Sequence, residues 1–178
     1  MTTLSRTAME AILFAHGKAE LDFDVDATMA TVVADPHYEI ACLGLAVDGW
    51  DAVTEMYRRL LAGNRGRNIA AEERASALAG NTLMSEARVW FDSRTGDRAC
   101  GHYLIVVSFD PVLHKVIGER IYTDPVFGRL WAENLGADFA DLPGVSPIAR
   151  TAPSIDRHDA FDAAAARGMT IRNPRVRA

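Results

Sequence analysis

Two hydrophobic periods divide the chain, one of about 3.6 residues up to Asn64 and one of about 2 residues from Asn81 onward. In the first part, Ser5 is placed to cap a helix over residues 6 to 18, on which Met9, Ile12, Leu13 and His16 share a face and Gly17 stands near the end. A second helix starts at Asp24, because Val25, Met29, Val32 and Val33 recur at helical spacing, and the Asp35-Pro36 pair stops it. "HYEI" (37–40) predicts a short strand. Asp48 or Gly49 then opens a third helix with the stripe Trp50, Val53, Tyr57, Leu60 and Leu61, ending in a Gly63-Asn64 loop.

In "NTLMSEARVWF" (81–91) the period is that of a strand: Leu83, Ser85, Ala87, Val89 and Phe91 share one face, and Thr82, Met84, Glu86, Arg88 and Trp90 the other. "SRTGD" predicts a hairpin turn. Residues 101–109 are apolar on both faces, which predicts a central strand covered on each side. Asp110-Pro111 turns the chain into a last long strand over 114–124, and a short helix follows Pro125. The segment 69–80 is ambiguous, since Ala and Glu favour helix while the need for a partner strand favours β; it is read as a strand. Residues 142–154 read as a Pro- and Ser-bearing linker, and 156–168 as one more helix capped by Gly168. The expectation is an α+β domain over residues 1–141, with helices on one side of a curved antiparallel sheet, and a C-terminal extension over 142–178.

Charge and composition narrow the function classes. A net charge of −5 with scattered basic residues shows no stripe suited to nucleic acid or an anionic membrane. The two cysteines, Cys42 and Cys100, lack metal-type spacing, and His37, His102 and His114 do not form a metal set. The N-terminus carries no apolar signal core, and no apolar run reaches the roughly 18 residues of a membrane span. The expected location is cytoplasmic, with no metal and no cofactor. Neither a Ser/His/Asp motif nor a glycine-rich phosphate loop is present.

The order of elements, with "DVDATMATVVADPHYEI", "GWDAVTEMYRRLL" and "GERIYTDPVFGRLW", resembles the nuclear transport factor 2-like superfamily, in particular its SnoaL-like branch. The resemblance spans residues 5–136 and is carried most specifically by Gly49 heading a helix with a Met-Tyr-Arg run and by the Glu-Arg-x-Tyr-x-Asp end of the last strand. It implies a cone-shaped α+β barrel in which the sheet wraps around a long helix and encloses a pocket. The superfamily holds ketosteroid isomerase, polyketide cyclases, dehydratases and epoxide hydrolases, and also non-catalytic binding modules. Ketosteroid isomerase uses an Asp base with a Tyr and a protonated Asp. Aligned without gaps from Gly49, the base position falls on Ile40 and the protonated acid on Ile105, while the first helix has no tyrosine. Of that machinery only the supporting Tyr57 is retained. The epoxide hydrolases place an Asp where this chain has Ile121. Neither mechanism transfers.

The same resemblance sets which strand residues face the pocket: Ser85, Ala87, Val89 and Phe91 with Leu83, then Gly101, Tyr103, Ile105 and Val107, then Glu119, Ile121 and Thr123. Such an interior suits a hydrophobic small molecule. Glu119 is the one acidic group in these rows, and a carboxyl inside an apolar cone has its pKa raised toward neutrality, where it serves as general acid or base. The competing role is an ion pair at the pocket mouth, with Arg120 or another basic group outside the cavity. The catalytic candidates are therefore Glu119, Tyr103 and Tyr57, and the substrate-binding candidates Tyr38, Ile40, Trp50, Ser85, Ala87, Val89, Phe91, Ile105, Ile121 and Thr123. Asp124 is explained as a helix N-cap. The resemblance also implies a homodimer paired through the outward sheet face, where Met84, Trp90, His102, Leu104 and Val106 would supply apolar surface. Two functions fit: cofactor-free isomerase, dehydratase or cyclase chemistry on a carbonyl-bearing substrate, or a binding or assembly module without catalysis.

Overall fold

The structure is a computed structural model that describes residues 3–148 and 166–168. The chain divides into two compact units, Met1–Ile148 and Ala149–Ala178. Apart from residues 166–168, the helix expected over 156–168 lies outside the described residues.

Helix α1 (Arg6–Leu21) begins where expected, with the Ser5 hydroxyl accepting from the Ala8 N–H at 3.2 Å, and it runs through Gly17 to a later end. Helix α2 (Val25–Ala30) is capped by Asp24 but stops well before Asp35-Pro36. The cause is tertiary: the Val33 N–H donates to the Val116 carbonyl and the Val116 N–H to the Thr31 carbonyl, both at 2.9 Å. Strand-type pairing with the far end of the chain thus overrides the helical period of Val32 and Val33. Strand β1 (His37–Ile40) forms as predicted and folds back onto β2 (Leu45–Asp48), a strand the hydrophobic pattern did not signal. Gly49, at φ 84°, turns the chain into α3 (Trp50–Asn64).

The long strands β3 (Ala70–Ala79), β4 (Thr82–Asp92), β5 (Arg98–Asp110) and β6 (Lys115–Thr123) follow, so 69–80 resolves as strand. Helix α4 (Pro125–Leu135) is capped by Asp124, whose Oδ1 accepts from the Val126 and Phe127 N–H groups at 3.1 and 2.9 Å. Within the stretch read as linker, β7 (Val145–Pro147) adds an edge strand to β2. The curved sheet has the order β3-β4-β5-β6-β1-β2-β7, antiparallel throughout except where β1 runs parallel to β6.

The main core lies between the helices and the inward sheet face, and includes Met9, Tyr38, Ile40, Val53, Met56, Tyr57, Val107 and Ile121. Each fully buried aliphatic side chain there contributes roughly 1.5–3 kcal/mol. A second, smaller cluster forms under α4 from Val89, Phe91 and Leu130, with Tyr103 and Phe127 packed against it. β5 is central, between β4 and β6, but it is covered on one side only: Leu104 on its outward face is 38% exposed.

Candidate functional site

Glu119 follows a glycine for a steric reason. A Cβ on residue 118 would lie 1.7 Å from the His37 carbonyl oxygen, so β1 can run beside β6 only because Gly118 has no side chain. That close approach carries Tyr38, the next residue of β1, into the interior, where it is completely buried. Alternation along β6 then turns Glu119 inward with Ile121, while Arg120 and Tyr122 stay exposed. The ion pair expected with Arg120 does not form, because the Arg120 Nε lies 3.6 Å from Glu39 Oε2 on the other face.

Glu119 is 9% exposed, and its Oε1 lies 3.5 Å from Nε2 of His16, which is 1% exposed. His16 belongs to the apolar stripe of α1 and is the polar ring in that stripe. Its Nε2 is also 2.9 Å from the Tyr57 hydroxyl, and the Tyr57 and Tyr38 hydroxyls are hydrogen-bonded to each other at 3.1 Å. The rings stack edge to face, His16 on Tyr57 at 5.6 Å and Tyr57 on Tyr38 at 5.8 Å between centroids. On the other side of the imidazole, Nδ1 is 2.6 Å from the Thr31 hydroxyl. Glu20, one helical turn beyond His16, brings its Oε1 to 3.6 Å from the same Nε2.

Two carboxyls therefore converge on one imidazole nitrogen in a largely dry interior. Burial first, and then the charge of Glu20, push Glu119 up to about 8. Burial also raises Glu20, against the opposing pull of His16 and a hydrogen bond from Tyr57. About a third of the Glu20 side chain stays exposed (36%), so the proton the pair retains near neutral pH resides chiefly on Glu119. Tyr57 and Tyr38 are both held well above the ordinary phenol range, by burial first, and remain neutral hydrogen-bonding groups. Roughly nine-tenths of Glu119 is protonated at pH 7 if its pKa is about 8, which makes it a proton donor before it is an acceptor.

Of the residues singled out from sequence, the structure brings Glu119, Tyr57 and Tyr38 into one cluster, with Ile40 and Ile121 packed in the same core. Tyr103 is not joined to them. It is half-buried and packs on Phe127 with ring centroids 5.8 Å apart, in the cluster that also holds Val89 and Phe91. Burial, followed by the charges of Glu119, Glu20 and Glu73, pushes its hydroxyl up to about 12. Ser85 and Ala87 are buried on the inward face, and the Ser85 hydroxyl donates to Glu73 at 3.0 Å. Ile105, also inward, is half-buried. The Thr123 hydroxyl is buried without a hydrogen-bond partner among the described residues, close under Gly128 of α4.

Trp50 does not line an interior. It is 41% exposed at the first position of α3, before the stripe of Val53, Met56, Tyr57 and Leu60 has turned onto the core. Neither of the two cavities described counts Glu119, His16, Tyr57 or Tyr38 among its lining residues. The cavities described lie elsewhere: a groove of about 380 Å³ lined by Ala8, Ile12, Ala15, Thr31, Leu113 and Lys115, and one of about 80 Å³ between Arg67, Phe91 and α4.

The residues that sequence reasoning missed are His16, Glu20 and Thr31. His16 stood on the apolar stripe and was counted as part of it; a titratable ring in such a stripe, with a glutamate four residues on, was the available signal.

Neither a family model nor a curated protein matches the sequence. Solved structures do match the fold. The epoxide hydrolase/cyclase-like enzyme SalBIII, with a role in pyran ring formation in the polyether salinomycin, is 13% identical at a TM-score of 0.57, covering 68% of this chain and 94% of its own. A putative SnoaL-like polyketide cyclase from Jannaschia sp. CCS1 is 13% identical at 0.56, covering 70% and 92%. An LEH-like epoxide hydrolase from M. tuberculosis is 18% identical at 0.54, covering 72% and 92%. At these identities the likeness is one of fold: the chain folds like solved structures described as NTF2-like and SnoaL-like.

Proposed function

We propose that this protein is a cofactor-free acid/base enzyme of the isomerase, dehydratase or cyclase type, acting on a hydrophobic carbonyl-bearing small molecule. The observation that carries the reading is Glu119: a nine-tenths buried carboxyl, holding its proton to about pH 8, beside His16 and a neutral Tyr57. In this reading Glu119 delivers its proton to the substrate carbonyl oxygen while the bare Nε2 of His16, 3.5 Å away, takes the proton from the adjacent carbon; return of the two protons regenerates both groups. Tyr57 and Tyr38 orient that pair through their hydroxyls. Glu20 and Ile105 are part-exposed, and the register of β5 on β6 sets Ile105 opposite Ile121, two residues from Glu119.

The test is hydrogen–deuterium exchange at the carbon next to the carbonyl in a panel of apolar cyclic ketones in D2O, followed by mass spectrometry. Wild type should accelerate exchange for at least one ketone, and Glu119→Gln should lose that acceleration by about 10²-fold or more. Absence of acceleration across the panel, or an unchanged rate in the variant, would sink the assignment.

A binding or assembly module is the second reading, favoured by the exposed apolar side chains of the outward sheet face. The outward face supports pairing of two copies, because Met84 and Leu104 are exposed there beside part-buried Trp90, Val106 and His102. Leu104→Glu should then convert a dimer to a monomer by light scattering; a monomeric wild type would remove the pairing.

A further inference from the structure

The Thr31 hydroxyl has one hydrogen and two neighbours. Its Oγ1 lies 2.6 Å from the Thr28 carbonyl oxygen, which can only accept, so the hydrogen goes there. Toward His16 the same oxygen presents only lone pairs, at 2.6 Å from Nδ1. Nδ1 must therefore carry a hydrogen in every protonation state of the ring. The remaining nitrogen, Nε2, faces Tyr57, Glu119 and Glu20 at 2.9, 3.5 and 3.6 Å, and it is the only ring atom at which a proton can come or go.

We propose that Thr31 is a positioning residue that locks His16 in the Nδ1–H form, so that a bare Nε2 stands beside Glu119 as the proton-accepting atom. The lock sits where α2 ends. Thr31 is the C-cap of α2, and its carbonyl accepts from the Val116 N–H of β6, so the lock is tied by backbone to the strand that carries Glu119. The hydroxyl pair accommodates both ring states. With Nε2 protonated, it donates to Tyr57, which donates to Tyr38; with Nε2 bare, Tyr57 turns its hydrogen to Nε2 and accepts from Tyr38. The catalytic part of this role rests on Glu119 acting as the acid; the tautomer itself does not.

The experiment is ¹⁵N NMR of the His16 ring in the intact protein at a pH where the ring is neutral. Wild type should show a protonated Nδ1 and an unprotonated Nε2, the reverse of the form a free histidine side chain favours. Thr31→Val should shift the hydrogen to Nε2, and Thr31→Ser should restore Nδ1–H. A wild-type ring with its hydrogen on Nε2, or a Thr31→Val ring unchanged from wild type, overturns the proposal, and the wild-type spectrum decides even if Thr31→Val fails to fold. In the ketone exchange assay, Thr31→Val should lose about tenfold or more in kcat with little change in KM, and Thr31→Ser should recover most of it. An Nδ1–H tautomer with no activity in wild type would sink the acid/base reading while leaving the lock intact; full activity in Thr31→Val despite a shifted tautomer would overturn the positioning role.

Discussion

The same constellation of one imidazole between two carboxyls occurs twice on this domain. Inside, His16 meets Glu119 and Glu20; outside, His37 Nδ1 lies 2.7 Å from Asp48 Oδ1 and its Nε2 3.2 Å from Glu39 Oε1. The two are anchored to neighbouring strands, β6 and β1, and differ in solvent and in attachment, both inner carboxyls facing Nε2 while the outer ones take one nitrogen each. The outer carboxylates hold His37 above its ordinary range, its hydrogen bond to Asp48 first, which is the behaviour of a paired surface histidine. In the inner site it is a carboxyl that moves, up to about 8, because burial charges a penalty on the anion that the imidazole does not cancel. The residue types are alike and the chemistry is not. Burial turns an ion pair into a stored proton.

The largest effect expected from breaking the inner site is that of Glu119→Gln. Besides the loss of turnover, it should change how stability depends on pH. A carboxyl whose pKa rises from 4.5 to about 8 on folding binds a proton in the folded state that the unfolded chain has released. Wild-type stability therefore falls as pH climbs from about 4.5 to about 8, by up to about 1.4 kcal/mol per unit for one full proton. In Glu119→Gln that slope should largely vanish, leaving the variant equal to wild type near pH 4 and more stable above pH 7. Denaturant unfolding at pH 4, 7 and 9 reads this directly, and parallel curves for the two proteins would contradict the stored proton.

Next in size is Tyr57→Phe. Its hydroxyl is shared by His16 and Tyr38 in a buried site, so its removal strands polar atoms on both and should cost roughly 1–3 kcal/mol. The Tyr38→Phe/Tyr57→Phe double variant should lose less than the sum of the singles, since the second change removes an atom already stranded. Additive losses would show that the two hydroxyls do not act as one network.

How much of this was legible in the sequence follows from the range of each signal. The period of two in "GERIYT" puts Glu119 on one face with Ile121 and Thr123, and the resemblance set that face inward, as the burial along β6 has it for Glu119 and Ile121. The caps Ser5, Asp24 and Asp124 are equally local. What escaped was set by distant partners. Val32 and Val33 left the helical pattern to pair with Val116, and the short strands β2 and β7 exist by pairing with each other and with β1. The site suffered in the same way. His16 lies 103 positions before Glu119, and only the folding of α1 over β6 makes them neighbours. Conversely, Tyr103 shares the inward face with the predicted pocket row, but α4 caps that part of the sheet with Phe127 and assigns it to another cluster.

That division predicts a smaller effect for Tyr103→Phe. With no place in the His16–Tyr57–Tyr38 chain, the Tyr103 hydroxyl should matter less than tenfold in the exchange assay, against a clearly larger loss for Tyr57→Phe. Equal losses would restore Tyr103 to the proton-handling group.

The smallest effect belongs to the outer constellation, in Asp48→Asn. His37 is raised above 6.5 by Asp48 and Glu39, so its contribution to stability is fully present below pH 6.5 and is lost as pH rises through the raised value. The slope has the same sign as that of Glu119, because both centres take up a proton on folding. Size and screening separate them. Nearly half of the His37 side chain and more than half of Asp48 are exposed, 46% and 55%, so the pair is worth at most about 1 kcal/mol and is weakened by salt. Asp48→Asn should accordingly cost a few tenths of a kcal/mol to about 1 kcal/mol at pH 5.5, nothing measurable at pH 9, and still less in about 1 M salt. The pH slope that Glu119→Gln removes should survive the same salt almost unchanged, since a buried proton has no counterions to exchange with. If high salt flattened both slopes alike, the contrast between a stored proton and a surface ion pair would fail.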